Sequence, residues 1–419
     1  MAAEERTGVE EARELAEPPR PSGPRLVIDD RDAFLAAVDE LDAGEGPFAI
    51  DAERASGFRY SQRAYLIQVF RRGAGSYLFD PPAIGEMSAL HRAGEDEEWV
   101  IHAATQDLTC LREVGIDPRR LFDTELAARL LGMPRVGLGP VVEELLGIHL
   151  AKAHSAADWS TRPLPQPWLD YAALDVELLV DVRDRLATML DEQGKAEMAR
   201  QEFQAELDRD LQPVRAEPWR RLSGLHTVRG ARNLAVARAL WLARDEYARE
   251  TDTAPGRLVP DASLVAAVRA MPDSKRALAA LKEFNGRASR SQLDRWWAAI
   301  EAGRATEDLP QTRVAGDALP PPRAWADRNP EAAARLTAAK QSLAELAEAR
   351  SLPVENLLTP DTLRRLAWQP PAPMTAQTIG TALAALGARP WQVAETSQRI
   401  LDSFVEAAQA PVRAEELDS

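Results

Sequence analysis

Cysteine is almost absent. Cys110 is the single one in 419 residues, so no intrachain disulfide can staple this chain, and Cys110 itself is expected to be a buried small hydrophobe. Histidine numbers only five, and no Cys/His cluster has zinc-site spacing, which excludes a structural zinc module. No apolar run approaches the roughly 20 residues that cross a bilayer, so no membrane partner is expected. The first 24 residues are charged, carry Pro18, Pro19, Pro21 and Pro24, and contain no apolar stretch. That composition excludes a signal peptide and predicts a disordered tail over 1–24, on a cytoplasmic protein. Positive charge is in deficit too, with 51 Lys and Arg against 66 Asp and Glu, a net of −15. Taken over the whole chain, this argues against a polyanionic partner.

What is present is a set of acids in three short segments. In Phe48-Ala49-Ile50-Asp51-Ala52-Glu53, strand alternation sends Phe48 and Ile50 to one side and Asp51 and Glu53 to the other. Two acids on one strand face repel unless solvent or a cation screens them. The run 99–108 reads as a buried strand leading into a helix, with Asp107 near the helix start, where negative charge is favoured. Tyr171 and Asp175 open an apolar-periodic run through Val182 that predicts a helix, so at i and i+4 they face the same way. Each segment alone has a plain reading: a solvated strand face, a residue balancing a helix dipole, a surface pair. Together they offer hard oxygen ligands from separate elements, which is what Mg²⁺ or Mn²⁺ requires.

These three segments resemble the exonuclease motifs of ribonuclease D, in the DEDD superfamily with tyrosine in the third motif. The likeness extends over about 26–207 and takes in Tyr65-Leu66-Ile67-Gln68-Val69, Phe122-Asp123-Thr124 and Asp158-Trp159-Ser160-Thr161-Arg162-Pro163-Leu164. None of the five motif residues is replaced. The resemblance implies a ribonuclease-H-like α/β domain whose Asp51, Glu53, Asp107 and Asp175 hold two divalent metals, Mg²⁺ or Mn²⁺, about 3.5 to 4 Å apart. Asp51, Glu53, Asp107, Tyr171 and Asp175 are thereby the expected catalytic set, with Tyr171 orienting the attacking water. A phenol whose ordinary pKa is near 10 suits positioning better than proton abstraction. The implied product is a nucleoside 5′-monophosphate cut from the 3′ end of a single strand.

Around this set lie secondary candidates. Arg162 is a phosphate contact or a structural arm of the loop before Tyr171, and Lys152 and His154 are candidate backbone contacts. His102 reads as a packed neighbour rather than a ligand, because hard metals prefer oxygen. Asp123 reads as the cap of a helix over 124–131.

Charge divides the chain. Residues 216–304 carry 16 Lys and Arg against 10 Asp and Glu, a net of +6, while 305–419 carry a net of −4 and 1–215 a net of −17. From Trp219 through Trp241, Pro255 to Pro260 and Phe284 to Ile300, the basic segment resembles the HRDC domain found in helicases and ribonuclease D. Its Arg229, Arg232, Arg287 and Arg290 are candidate nucleic-acid contacts, with a plain solvated face as the alternative, and its tryptophans are expected in the core. A Pro-rich linker is expected at 305–325, followed by helical patterns at 330–350, 360–367, 375–386 and 391–408. The expected organisation is a tail, an exonuclease domain over 25–210, an all-α HRDC-type bundle over 216–304, the linker, and a second HRDC-like bundle over 326–410. Strands are expected at 48–53, 65–70, 76–79 and 99–103, the first three as an antiparallel meander.

Three functions follow. The first is a metal-dependent 3′ to 5′ exoribonuclease acting on transfer RNA precursors and other small structured RNAs. The second is a DNA exonuclease on the same scaffold, since no residue reads the 2′-hydroxyl. The third is a non-catalytic RNA-binding protein. A monomer is favoured, and deleting 216–419 is expected to weaken RNA retention more than chemistry.

Overall fold

The computed structural model describes residues 15–18, 25–150, 154, 156–211, 216–284, 286–312 and 319–409. Its sheet contains β1 (Val27–Ile28), β2 (Glu45–Arg54), β3 (Ala64–Arg72), β4 (Gly75–Phe79), β5 (Trp99–Ile101) and β6 (Leu121–Asp123), ordered β1-β4-β3-β2-β5-β6. β2, β3 and β4 form the expected antiparallel meander, while β2, β5 and β6 run parallel, as do β1 and β4. Parallel neighbours need crossovers, and these supply the helices that cover the sheet. β3 lies inside the sheet and is buried along most of its length, as its unbroken Ala-Tyr-Leu-Ile-Gln-Val-Phe run demands. The short edge strands β1 and β6 were not legible: two or three residues give no period to read.

The helix Gln166–Glu177 crosses β2, β3 and β4, seated by Leu169, Ala172 and Ala173 on Tyr65, Leu66 and Leu78. It starts earlier than the expected run because Pro167 sits in its first turn, and it yields to a second helix, Leu179–Glu192, at Leu178. Asp107 caps Leu108–Glu113 by position, after a 3₁₀ turn over Ala104–Gln106.

Residues 218–312 contain a separate helical core built on Trp219, Leu240, Phe284, Trp296 and Ile300. Its long helix Ala231–Glu250 packs on Leu293–Ala305, where Gly303 meets the backbone of Val236 so closely that a Cβ would fall 2.5 Å from its Cα. The later helices behave differently. Pro330–Ala349, Pro360–Trp368, Ala376–Ala385 and Pro390–Gln409 share one continuous apolar core with the catalytic sheet. Polar ties reinforce it: Glu202 accepts both a forked Arg389 and the Trp391 indole N–H, and Lys195 donates to Leu130 and Ser351 carbonyls.

Two expectations change here. Within the tail, residues 15–18 are ordered, because Ala16 donates to Gly147 O and accepts from His149 N–H; 1–14 and 19–24 lie outside the described residues. Within the linker, Trp325 is fully buried and starts the helix Trp325–Arg328, and residues 313–318 lie outside the described residues. No helix among the described residues is long and apolar enough to cross a membrane.

Candidate active site

Alternation on β2 does what its sequence dictates: Asp51 and Glu53 emerge on one face, beneath the helix that carries Asp175. One carboxylate oxygen from each of Asp51, Glu53 and Asp175 lies within 4.8 Å of the other two. Asp107 lines the same cleft and is close enough to Asp51 for each carboxyl to shift the other, and Tyr171 stands one turn before Asp175 on their helix. All five side chains line one cleft of about 660 Å³, together with Arg54, Phe58, His102, Gln106 and Glu125.

The electrostatics are those of closely spaced, buried acids. Burial first, then Asp51, Asp175 and Asp107, push Glu53 up to about 10. Burial raises Asp51, and raises Asp107 and Asp175 well above the usual carboxylate range, with the neighbouring Asp51 adding to both. Burial, then Asp175 and Glu53, push the Tyr171 phenol up as well, so it remains protonated and serves as a donor. Three hard oxygens at this separation fit a hard divalent cation.

Two neighbours went unread in the sequence. Gln68 is fully buried and pairs across the ladder with Asp51, its Nε2 lying 3.4 Å from Asp51 Oδ2, so it steadies that carboxylate. The sole sequence signal was a polar residue inside an apolar strand. Arg54 enters the cleft with Nη2 3.6 Å from Asp107 Oδ1. Simple alternation puts Arg54 on the face opposite Glu53. The register, however, slips from Glu53↔Leu66 to Arg54↔Ala64, and such a bulge re-aims side chains.

The secondary candidates sort clearly. Arg162 donates to Asp80, to the Trp159 and Thr161 carbonyls and to Tyr65 O, so its guanidinium is spent on fixing the loop instead of meeting a phosphate. His154 sits edge-on to Tyr171 at 6.0 Å and beside Trp168, packing the third motif; Lys152 lies outside the described residues. His102 bonds Thr124 through Nδ1 at 2.9 Å, and its burial lowers its pKa, so it is a neutral packed group. Asp123 caps Thr124–Leu130 and also accepts the Ala103 and Ala104 N–H groups, which fixes the turn leading to Asp107. Cys110 is buried, as expected.

In the basic bundle, Arg229 and Arg232 are tied to nearby carbonyls, and Arg290 donates to Phe284 O. Arg287 is exposed at the start of its helix. The bundle meets the catalytic domain at the cleft rim: Asp252 accepts from Ser61 N–H and Tyr65 OH, Tyr60 OH donates to Asp245, and Arg257 donates to Gly57 O while covering the Phe58 ring at 4.0 Å.

Comparison with known proteins finds three matching regions. Residues 26–191 match the 3′-5′ exonuclease family, 233–300 the HRDC domain and 318–404 the 3′ to 5′ exonuclease C-terminal domain. The chain is 32% identical to ribonuclease D of Pseudomonas paraeruginosa over 280 residues, covering 65% of this chain and 72% of that one. A crystal structure of a protein from Bifidobacterium adolescentis superposes with a TM-score of 0.86 at 37% identity, covering 93% of this chain and 99% of the other. The Escherichia coli RNase D structure, of an exoribonuclease involved in structured RNA processing, gives a TM-score of 0.65 at 26% identity, over 87% and 98% of the two chains.

Proposed function

The chain belongs to the ribonuclease D family of 3′ to 5′ exoribonucleases, and from that premise we propose that it trims the 3′ ends of transfer RNA precursors and other small structured RNAs to 5′-mononucleotides. The observation that carries this reading is the convergence of the Asp51, Glu53 and Asp175 oxygens, with Asp107 and Tyr171 lining the same cleft. Asp51, Glu53, Asp107 and Asp175 are the proposed ligands of two divalent cations, Mg²⁺ or Mn²⁺. When bound, these would supply a hydroxide-like water near neutral pH and neutralise charge on the departing 3′ oxygen.

The chain's own residues do the rest. Tyr171 keeps its proton, and its hydroxyl beside Asp175 is placed to orient a nucleophilic oxygen. Gln68 holds Asp51 in its rotamer, and Asp123 fixes the Ala103–Ala104 turn that aims Asp107. The basic segment 216–304 is the proposed grip on the RNA backbone, with the exposed Arg287 as a contact. The enzyme is proposed to act as a monomer in the cytoplasm.

Purified protein with Mn²⁺ is expected to shorten a 5′-labelled oligoribonucleotide one residue at a time, and a chelator is expected to stop it. Asp51→Asn and Asp107→Asn are each expected to reduce the rate by at least about a thousandfold with circular dichroism unchanged. Full activity in either variant, or products other than 5′-mononucleotides, overturns the reading. A matched DNA oligonucleotide in the same assay measures the sugar preference.

A further inference from the structure

Arg54 is out of keeping with two other arginines of the catalytic domain, Arg71 and Arg162. Arg71 and Arg162 each spend their guanidinium on four acceptors. Arg54 donates no hydrogen bond among the described residues, and its one ion pair, to Asp107, is a long 3.6 Å. Its side chain is 26% exposed, on the wall of the cleft that holds the five carboxyl groups of Asp51, Glu53, Asp107, Glu125 and Asp175. A cation here relieves the acids: its field opposes the upward push on Asp51, Glu53 and Asp107 alike. Yet its planar fork of donors has no carboxylate partner at bidentate distance, and that fork fits two phosphate oxygens.

Resting on the nuclease reading, we propose that Arg54 is a phosphate clamp held in reserve on Asp107, released to the terminal phosphodiester when a divalent cation takes that carboxylate. Two properties follow. Without RNA, Arg54 competes with the cation for Asp107, so removing it tightens cation binding there. With RNA, Arg54 offsets charge on the phosphoryl oxygens, so removing it slows cleavage even when metal is saturating.

The test uses the full chain with Arg54→Gln and Arg54→Lys. Mn²⁺ titrations of RNA-free protein, followed by electron paramagnetic resonance, are expected to show the weaker site tightened threefold or more in Arg54→Gln. Single-turnover cleavage of a 5′-labelled oligoribonucleotide at saturating Mn²⁺ is expected to fall tenfold or more in Arg54→Gln, with part of the rate recovered in Arg54→Lys. Unchanged Mn²⁺ affinity, a cleavage rate within twofold of the parent, or no recovery with lysine each overturns the proposal. Failure of the parent enzyme to cleave would instead sink the nuclease reading, so the two failures are distinguishable.

Discussion

At the scale of single residues, the cage is an unfavourable arrangement that the fold imposes and a cation relieves. Unfolded, its carboxyl groups titrate near 4; folded, all four are raised, Glu53 to about 10. Between those values the folded, metal-free protein binds more protons than the unfolded chain, so its stability falls as pH rises through that window. A divalent cation must displace those protons, and its stabilising effect therefore grows with pH. The rise in unfolding temperature on adding Mn²⁺ is expected to be larger at pH 8 than at pH 6, and calorimetry in buffers of different ionisation enthalpy is expected to record proton release. An equal shift at both pH values would show that the acids are already ionised. How far this centre could be read from sequence depended on periodicity. Asp51 with Glu53, and Tyr171 with Asp175, follow regular strand and helix spacing and were legible. Arg54 was not, because a bulge overrides alternation, nor was Gln68, whose meaning lies in a cross-strand partner.

At the scale of elements, the segment between β2 and β3 joins the helical bundle to the chemistry. Ser56, Gly57 and Phe58 line the cleft, and the same loop is held from outside by Asp252, which lies just after Ala231–Glu250. Burial pushes the Asp252 carboxyl up, but the bonds from Ser61 and Tyr65 and the charge of Arg63 bring it below its ordinary value. Asp252→Ala leaves the Ser61 N–H without its acceptor and is expected to cost about 1 kcal/mol of stability. The sharper expectation is kinetic: KM for RNA rises severalfold while Mn²⁺ affinity stays unchanged, because Asp51 and Glu53 are anchored by β2, Asp175 by Gln166–Glu177 and Asp107 by the turn that Asp123 fixes, and none by this loop. Steady-state kinetics beside a Mn²⁺ titration separate the two, and a parallel loss of metal affinity would refute the division of labour. The sequence placed the bundle and its aromatic core but gave no hint of this clamp. Tyr60, Ser61 and Tyr65 meet Asp245 and Asp252 across some 185 to 191 positions of chain.

At the scale of the molecule, helical periodicity identified the C-terminal elements to within a few residues, but it could not say what their apolar faces cover. They cover the catalytic domain. Trp325, Leu343, Ile400 and Phe404 belong to the same continuous core as Phe48, Trp99 and Phe203, and the buried Glu202 depends on Arg389 and Trp391 for its partners. This revises the expectation that removing 216–419 would weaken RNA retention more than chemistry. Cutting the chain after 305 would uncover that core and strand the Glu202 carboxylate, which is 2% exposed. Breaking a buried pair in this way costs about 3 to 5 kcal/mol, against a total stability of about 5 to 15 kcal/mol for a typical domain. The truncated protein is therefore expected to bind a hydrophobic dye, aggregate and lose RNA cleavage together with its near-ultraviolet circular dichroism. The full-length Arg389→Ala variant isolates the same contact and is expected to lower the unfolding temperature by several degrees, without altering the Mn²⁺ dependence of cleavage. A truncated chain that stayed monomeric, kept its near-ultraviolet signal and cleaved RNA would show that the sheet and its own helices fold unaided, and that the C-terminal helices merely rest on them.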